Sequence, residues 1–293
     1  MRFATVEYQG RTFVSSVDRS SESVTPLVMR DGSPVSDLME VIRNQARFTS
    51  LYAVDGKKIA LSAVRLRAPL PLPVRNIMCV GKNYREHAKE FAASGFDSSA
   101  SGAADAIPTT PIIFTKVPQS VIGPDEPILY PTGVSEQLDY EAELAVVIGK
   151  AGRGIPLGSA MAHVWGYTIL NDVTARDLQA RHKQWFLGKS MDTFAPMGPW
   201  CVTADEVDLA SAGIKCWVNG ELRQDAKFTD LIFDIPTLIS TISAGISLIP
   251  GDIIATGTPA GVGIGFKPPR FLAKGDTISM EVDGIGRLTN PVQ

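Results

Sequence analysis

Apolar and polar residues alternate along much of the chain with the two-residue period of half-buried strands, and few segments carry helical spacing. MRFATVEY and RTFVSSV alternate loosely, SDLMEVIRNQ has helical spacing with Ser36 as its expected start, and KIALSAVRLRAP returns to strand character. PLPLP at 69–73 removes amide donors and favours extended backbone, which places a boundary between a small N-terminal domain, 1–70, and a larger one, 71–293. NIMCVG (76–81) predicts a strand leading into a helix over NYREHAKEFAAS. The next segment, GFDSSASGAADAIPTT, has little to bury and reads as a loop: a plain surface insertion, or a lid joined to a helix bearing His and Glu. Strands dominate from 112 onward, in IIFTK, EAELAVVIG, HVWGYTILND, GIKCWVNGEL, GDIIATG and DTISMEVDG, with Asn219-Gly220 as a strong hairpin signal. Helical spacing returns in ARDLQARHKQ and from Ile235 to Ser247. Regular strand-helix-strand units are missing, which excludes doubly wound and barrel folds and leaves an α+β, β-rich class built on a mixed sheet.

Composition narrows the function. With 44% hydrophobic and 20% charged residues in 293, the chain can bury a substantial core, and 28 Lys plus Arg against 31 Asp plus Glu supply no polybasic field. Nucleic acid and anionic membranes are therefore not expected partners. Cys79, Cys201 and Cys216 form no CxxC, and His87, His163 and His182 are too dispersed for a His-rich metal site. The opening MRFATVEYQG lacks a signal peptide's apolar core, and no run approaches the roughly 20 apolar residues of a membrane span. A cytoplasmic location is the default expectation, with a mitochondrial one left open.

Glu141 and Glu143 stand two apart in YEAELAVVIG, so on a strand both carboxylates share one face and Ala142, Leu144, Val146 and Ile148 take the other. Either this is an edge strand with one solvated face, or the acids join Asp172, at the end of the apolar strand YTILND, around a hard cation such as Mg2+ or Mn2+. His87 and Glu90 are three apart on the expected helix, and form either part of a solvated charged face or an acid-base pair. Lys189, in FLGKSMD, is a polar interruption between apolar residues and reads as a surface lysine at a turn. Thr174 to Asp177 fits a helix capping box, with Arg176 as a supporting candidate for the site. His163 reads as a packed or hydrogen-bonded core histidine, His182 as exposed, and Trp185 as a pocket wall or an aromatic anchor. GVGIG at 261–265 precedes Lys267-Pro268-Pro269 where a dinucleotide loop needs a helix, so its glycines serve tight turns instead. Cys79 reads as a buried structural thiol.

Seven motifs in register resemble the fumarylacetoacetate hydrolase family, especially its acylpyruvase and oxaloacetate decarboxylase-like branch. They are CVGKNYREHAKE, PIIFTK, DYEAELAVVIGK, GYTILNDVTARDLQ, FLGKSMDTFAPMGP, VNGELRQ and GDIIATGTPAGVG. The resemblance implies the family's mixed β-sandwich roll behind a small N-terminal domain, in a homodimer. It implies a divalent cation on Glu141, Glu143 and Asp172, catalytic roles for His87, Glu90 and Lys189, and substrate contacts from Gln179 and Thr258; Arg176, beside them in sequence, is a further substrate-binding candidate. The long Gly/Ser insertion after Glu90 departs from the compact members of that branch.

A hard cation can hold a 2-oxo acid by its carboxylate and adjacent carbonyl and stabilise a pyruvate-type enolate. The leading expectation is hydrolysis of a carbon-carbon bond in an acylpyruvate, with His87 and Glu90 activating water. Oxaloacetate decarboxylation, isomerisation of an unsaturated 2-hydroxy or 2-oxo dioate, and a catalytically silent metabolite-binding dimer are the alternatives.

Overall fold

The computed structural model describes residues 1–54, 56–96 and 107–293, so most of the Gly/Ser-rich insertion expected to be a loop or lid lies outside the described residues. The N-terminal segment supplies β1 (Arg2–Tyr8), β2 (Arg11–Asp18), β3 (Ser23–Met29), α1 (Leu38–Arg43), α2 (Phe48–Leu51), β4 (Tyr52–Val54), β5 (Ile59–Ala60) and β6 (Arg65–Leu66). KIALSAVRLRAP is thus two short strands broken by a turn of 3-10 helix. The start of α1 falls at Asp37 rather than Ser36, because the Asp37 carboxylate accepts from the Met39 amide.

β7 (Ile77–Gly81) leads into α3 (Arg85–Ser94), followed by β8 (Ile112–Lys116) and β9 (Val121–Ile122). Then come β10 (Leu138–Asp139), β11 (Ala142–Ile148), β12 (Val164–Asn171), β13 (Thr174–Ala175), α4 (Arg176–His182) and α5 (Phe186–Lys189). The chain closes with β14 (Ala195–Thr203), β15 (Gly213–Val218), β16 (Glu221–Lys227), α6 (Ile235–Ser243), β17 (Ile253–Ala255), β18 (Thr277–Val282) and β19 (Gly286–Pro291). Asn219 and Gly220 both take positive φ, at 52° and 81°, which is the backbone a two-residue β15–β16 hairpin requires.

Among the described residues the main sheet runs β4-β3-β2-β1-β14-β12-β11-β17-β7-β8, and a second sheet runs β16-β15-β18-β19. The main sheet is mixed, since β17 and β7 pair in parallel while β11 and β12 are antiparallel. It also crosses the Pro-rich stretch: β1 pairs with β14, Phe3 opposite Cys201, so both segments share one sheet.

β11 lies between β12 and β17, and every residue of it is buried. Ala142, Leu144, Val146 and Ile148 face one hydrophobic core, while Ala145 and Val147 face another with Ile77, Cys79 and Ile253. The edge-strand reading of YEAELAVVIG therefore fails. Both faces are covered, and fully buried Leu144 and Val146 contribute roughly 1.5–3 kcal/mol each. The two acids at the start of this strand are held in the interior by cores on either side.

Candidate active site

The ends of the central strands meet at one point. The Glu141 amide donates to Asn171 Oδ1 at 3.1 Å, the Asp172 amide to the Glu141 carbonyl at 2.9 Å, and the Ala142 amide to Gln224 Oε1 at 3.1 Å. These bonds fix where β11 stops and where β12 leaves the sheet. Oxygens of Glu141, Glu143 and Asp172 consequently lie within 4.8 Å of one another, and all three residues are buried.

Three buried cations answer them. Lys189 Nζ donates to Glu141 Oε2 at 2.7 Å and to Asp172 Oδ2 at 2.9 Å. Behind it, Lys116 Nζ donates to Asp172 Oδ1 at 2.7 Å, to the Val173 carbonyl at 3.0 Å and to the Lys189 carbonyl. Arg176 donates from Nη1 to Glu141 Oε1 at 2.7 Å and to Gln179 Oε1 at 3.1 Å, and from Nε to Asp139 Oδ2 at 2.9 Å. Its remaining nitrogen, Nη2, is buried with no hydrogen-bond partner among the described residues. An unpaired guanidinium nitrogen at a pocket wall suits an incoming carboxylate.

Charge balance separates the acids. Burial opposes ionisation of Glu141, but Lys189 and Arg176 more than offset it and hold the carboxyl at about 2. Glu143 is pushed well above the usual carboxylate range, first by burial and then by Asp172 and Glu141, with the Gly257 amide at 2.9 Å as a compensating donor. Lys189 is raised: burial works against its charge, and Asp172 and Glu141 outweigh burial. Burial dominates at Lys116, whose pKa is lowered. An all-oxygen set of clustered carboxylates, one of them driven toward protonation by burial and then by its acidic neighbours, is chemically matched to a divalent cation. The three side chains can coordinate one.

α3 brings His87 to the same pocket. His87 is 4% exposed, and its Nδ1 lies 3.3 Å from Glu90 Oε2. Glu90 in turn accepts from the Gly261 amide, at 3.0 Å to Oε1 and 3.2 Å to Oε2, tying the helix to the glycine loop. A Cβ at Gly265 would stand 1.8 Å from Glu90 Oε1, so any side chain there would push the acid from this position. The expected solvated face is occupied instead by Glu86 and Lys89, which pair at the exposed side of the helix.

The pocket wall includes His87, Glu141, Glu143, Arg176, Gln179, Lys189 and Thr258. Asp172 and Glu90 stand behind it, each bonded to a wall residue. Thr258 Oγ1 accepts from Gln224 Nε2 at 2.8 Å, which leaves its own hydrogen for a ligand. Phe91, Phe114 and Trp185 form the apolar side. Trp185 serves both expected roles: it lines the pocket and packs edge-on against Phe91 and Phe114.

One motif needs correction. The capping box at 174–177 is not formed: Ala175 is the cap, the Thr174 hydroxyl donates to the Asp172 carbonyl, and Asp177 accepts from the Ser135 hydroxyl at 2.5 Å. Pairing of β10 with β13 holds Thr174 extended, opposite Asp139, and keeps it out of the helix start. Cys79 is fully buried with its thiol pushed far up by burial, as its sequence context suggested, whereas His163 bonds the Lys150 carbonyl but is half-buried rather than in a core. His182 is exposed.

Lys116, Asp139 and Gln224 escaped sequence reasoning. Lys116 ends an apolar strand and Gln224 sits mid-hairpin, where a charged or polar residue ordinarily faces water. Asp139 carried the one available signal, an acid two residues before Glu141.

A family model, the fumarylacetoacetate hydrolase C-terminal domain, matches residues 76–293. An oxaloacetate tautomerase (YisK) of Bacillus subtilis is 51% identical over 234 residues, covering 80% of this chain and 74% of its own. A mitochondrial oxaloacetate tautomerase of Homo sapiens is 44% identical over 235 residues, covering 79% and 70%. The fold is likewise that of solved relatives: the fumarylacetoacetate hydrolase from psychrophilic Exiguobacterium antarcticum superposes with a TM-score of 0.81 at 39% identity, over 100% of this chain and 99% of that one. By sequence and by architecture, the chain belongs to the fumarylacetoacetate hydrolase family.

Proposed function

We propose that the protein interconverts the keto and enol forms of a small 2-oxo dioate of the oxaloacetate type, with Mg2+ or Mn2+ on Glu141, Glu143 and Asp172. The observation that carries this reading is the convergence of the three acids, Lys189, Arg176 and the His87–Glu90 pair on one pocket. Relatives named oxaloacetate tautomerases support the isomerase alternative ahead of hydrolysis.

Keto–enol exchange moves one proton between carbon 3 and the oxygen on carbon 2. The cation, when bound, supplies Lewis-acid stabilisation of negative charge on that oxygen. Arg176, through its unpaired Nη2, and Thr258, through its hydroxyl, bind and orient the substrate's first carboxylate. His87 takes the proton from carbon 3 and hands it to the oxygen on carbon 2; in the reverse direction it takes the proton from that oxygen and returns it to carbon 3. Glu90 fixes the ring through Nδ1 and stabilises the imidazolium formed in between. Lys189 adds a fixed positive charge beside the developing oxyanion. Phe91, Phe114 and Trp185 exclude water, so the enolate is reprotonated rather than lost to side reactions.

Hydrolysis of a 2,4-dioxo acid is the second reading. It is favoured by the same His87–Glu90 pair, which could activate water, and by the solved relative named as a hydrolase. The test follows decay of the enol absorbance of oxaloacetate with and without Mn2+, in the native protein and in Glu143→Gln. The proposal expects a metal-dependent acceleration that is lost in the variant; acceleration equal in both, or none in the native protein, overturns it.

A further inference from the structure

We propose that Asp139 is a positioning residue that sets two parts of the site together: the guanidinium of Arg176 and, through the glycine loop at 261–265, the Glu90 carboxylate that holds His87. The inference rests on the roles proposed above for Arg176 and for the His87–Glu90 pair, and extends them to the residue behind both.

Asp139 is fully buried, and its two oxygens serve four donors. Oδ1 accepts from the amides of Tyr140 at 2.9 Å and Gly263 at 2.6 Å, and Oδ2 from the Ile264 amide at 3.1 Å and Arg176 Nε at 2.9 Å. One carboxylate thereby bonds a cation on one segment and a loop on another. Pairing of β10 with β13 sets Asp139 opposite Thr174, just before Arg176, and the Arg176 amide donates to the Gln137 carbonyl at 2.9 Å. Strand register therefore brings the acid and the guanidinium together.

Each bond has a consequence at the pocket. A guanidinium is planar, so holding Nε on Asp139 and Nη1 on Glu141 and Gln179 fixes the direction of Nη2, the nitrogen assigned to the substrate's first carboxylate. Among the described residues Asp139 alone holds Nε; without it the guanidinium can turn about its Nη1 contacts. The loop, for its part, is held at Gly263 and Ile264 by Asp139 and at Gly261 by Glu90. A Cβ at Gly263 would stand 2.7 Å from Asp139 Oδ1, so loop and acid are in close contact. A loop released at Asp139 shifts the amide on which Glu90, and with it the His87 ring, is seated. Misplacing a reacting group by about 1 Å costs on the order of 10²-fold in rate.

The test uses Asp139→Asn, which keeps the volume. Whichever way the new amide turns, its NH2 faces two of the four donors, one of them a loop amide, and the charge paired with Arg176 is gone in both orientations. The change is made in the native chain, in Glu90→Gln and in Arg176→Lys, all supplemented with Mn2+. Decay of enol oxaloacetate gives kcat, and calorimetry with pyruvate, which presents one carboxylate beside its oxo group, gives affinity at Arg176. In the native chain Asp139→Asn should cost about 10- to 100-fold in kcat and about tenfold in pyruvate affinity. The losses should not add: the same change should cost less than a further twofold in kcat in Glu90→Gln, and less than a further twofold in pyruvate affinity in Arg176→Lys. A residue that only supports the fold would lower Tm and leave both comparisons additive, which would overturn the assignment. Unchanged kcat, a pyruvate affinity that is unchanged or raised, or a native protein that binds no pyruvate would also overturn it. Asp139→Ser, with room for a water, takes over if thermal unfolding shows that Asp139→Asn is not folded, and failure of both to fold would make Asp139 purely structural. The functional reading fails separately: a native protein that binds pyruvate and does not interconvert the tautomers contradicts that reading, while the pyruvate comparison still decides the role of Asp139.

Discussion

Replacing Lys189 by Met removes an ammonium that touches both Glu141 and Asp172 at hydrogen-bond distance while keeping much of the side-chain length. Breaking a buried ion pair by deleting one partner costs about 3–5 kcal/mol, because the other charge stays buried. Here Arg176 still faces Glu141 and Lys116 still faces Asp172, which places the expected loss near the lower end, about 3 kcal/mol. The loss has a defined pH dependence. In the native protein Glu141 is held at about 2, below its ordinary 4.5, because Lys189 and Arg176 overcome the opposing effect of burial. That depressed value contributes stability above pH 4.5, which is lost as pH falls toward 2. Without Lys189 the folded-state value rises, so the variant's deficit is full at neutral pH and shrinks as pH approaches 4.5 and below. A divalent cation should replace the missing charge, and at a concentration of 100 times its Kd would return about 2.7 kcal/mol. Urea unfolding at pH 3 and pH 8, with and without Mn2+, measures all four conditions. A deficit insensitive to both pH and metal would refute the reasoning and make Lys189 a packing residue.

Three further outcomes follow from the same geometry. Glu90→Gln keeps an oxygen for the Gly261 amide but removes the charge beside His87, so kcat should fall roughly 10² to 10⁴ with metal affinity unchanged; an unaltered kcat would remove Glu90 from the chemistry. Gly265→Ala places a Cβ against Glu90 and should lower kcat in the manner of the Glu90 variant, whereas activity within twofold of native would show that the acid's position is immaterial. Glu143, raised by burial and then by Asp172 and Glu141, destabilises the metal-free fold as pH rises above its ordinary 4.5, and a bound cation relieves that penalty. The rise in Tm on adding Mg2+ should therefore be larger at pH 8 than at pH 5, and a rise independent of pH would contradict the assignment of Glu143 to the cation site.

Much of the strand pattern was legible because a two-residue period survives wherever one side of a strand faces a core. It placed Glu141 and Glu143 opposite Ala142 and Leu144 correctly. The pattern could not say whether the acidic side faced water, because that depends on which strands flank β11, a property of long-range pairing. Asp172 was readable as an acid at a strand end, and the His87–Glu90 spacing as a helical neighbour pair. Lys116 was not, since its role rests on a strand whose residues lie more than fifty positions from Asp172 in sequence. The capping-box expectation at Thr174 failed for a related reason: local propensity lost to a strand pairing with Asp139. Asn83, Gln224 and Gly261 share this character, acting through side-chain-to-backbone hydrogen bonds between segments distant in sequence.

The most direct test of the central claim follows two products from one sample of enol oxaloacetate with saturating Mn2+: decay of the enol absorbance, and release of pyruvate. The proposed chemistry predicts that the protein accelerates enol decay while pyruvate release stays at the level of protein-free controls, and that His87→Asn abolishes the acceleration. Pyruvate released as fast as the enol disappears, or an acceleration unchanged in the His87 variant, would contradict it.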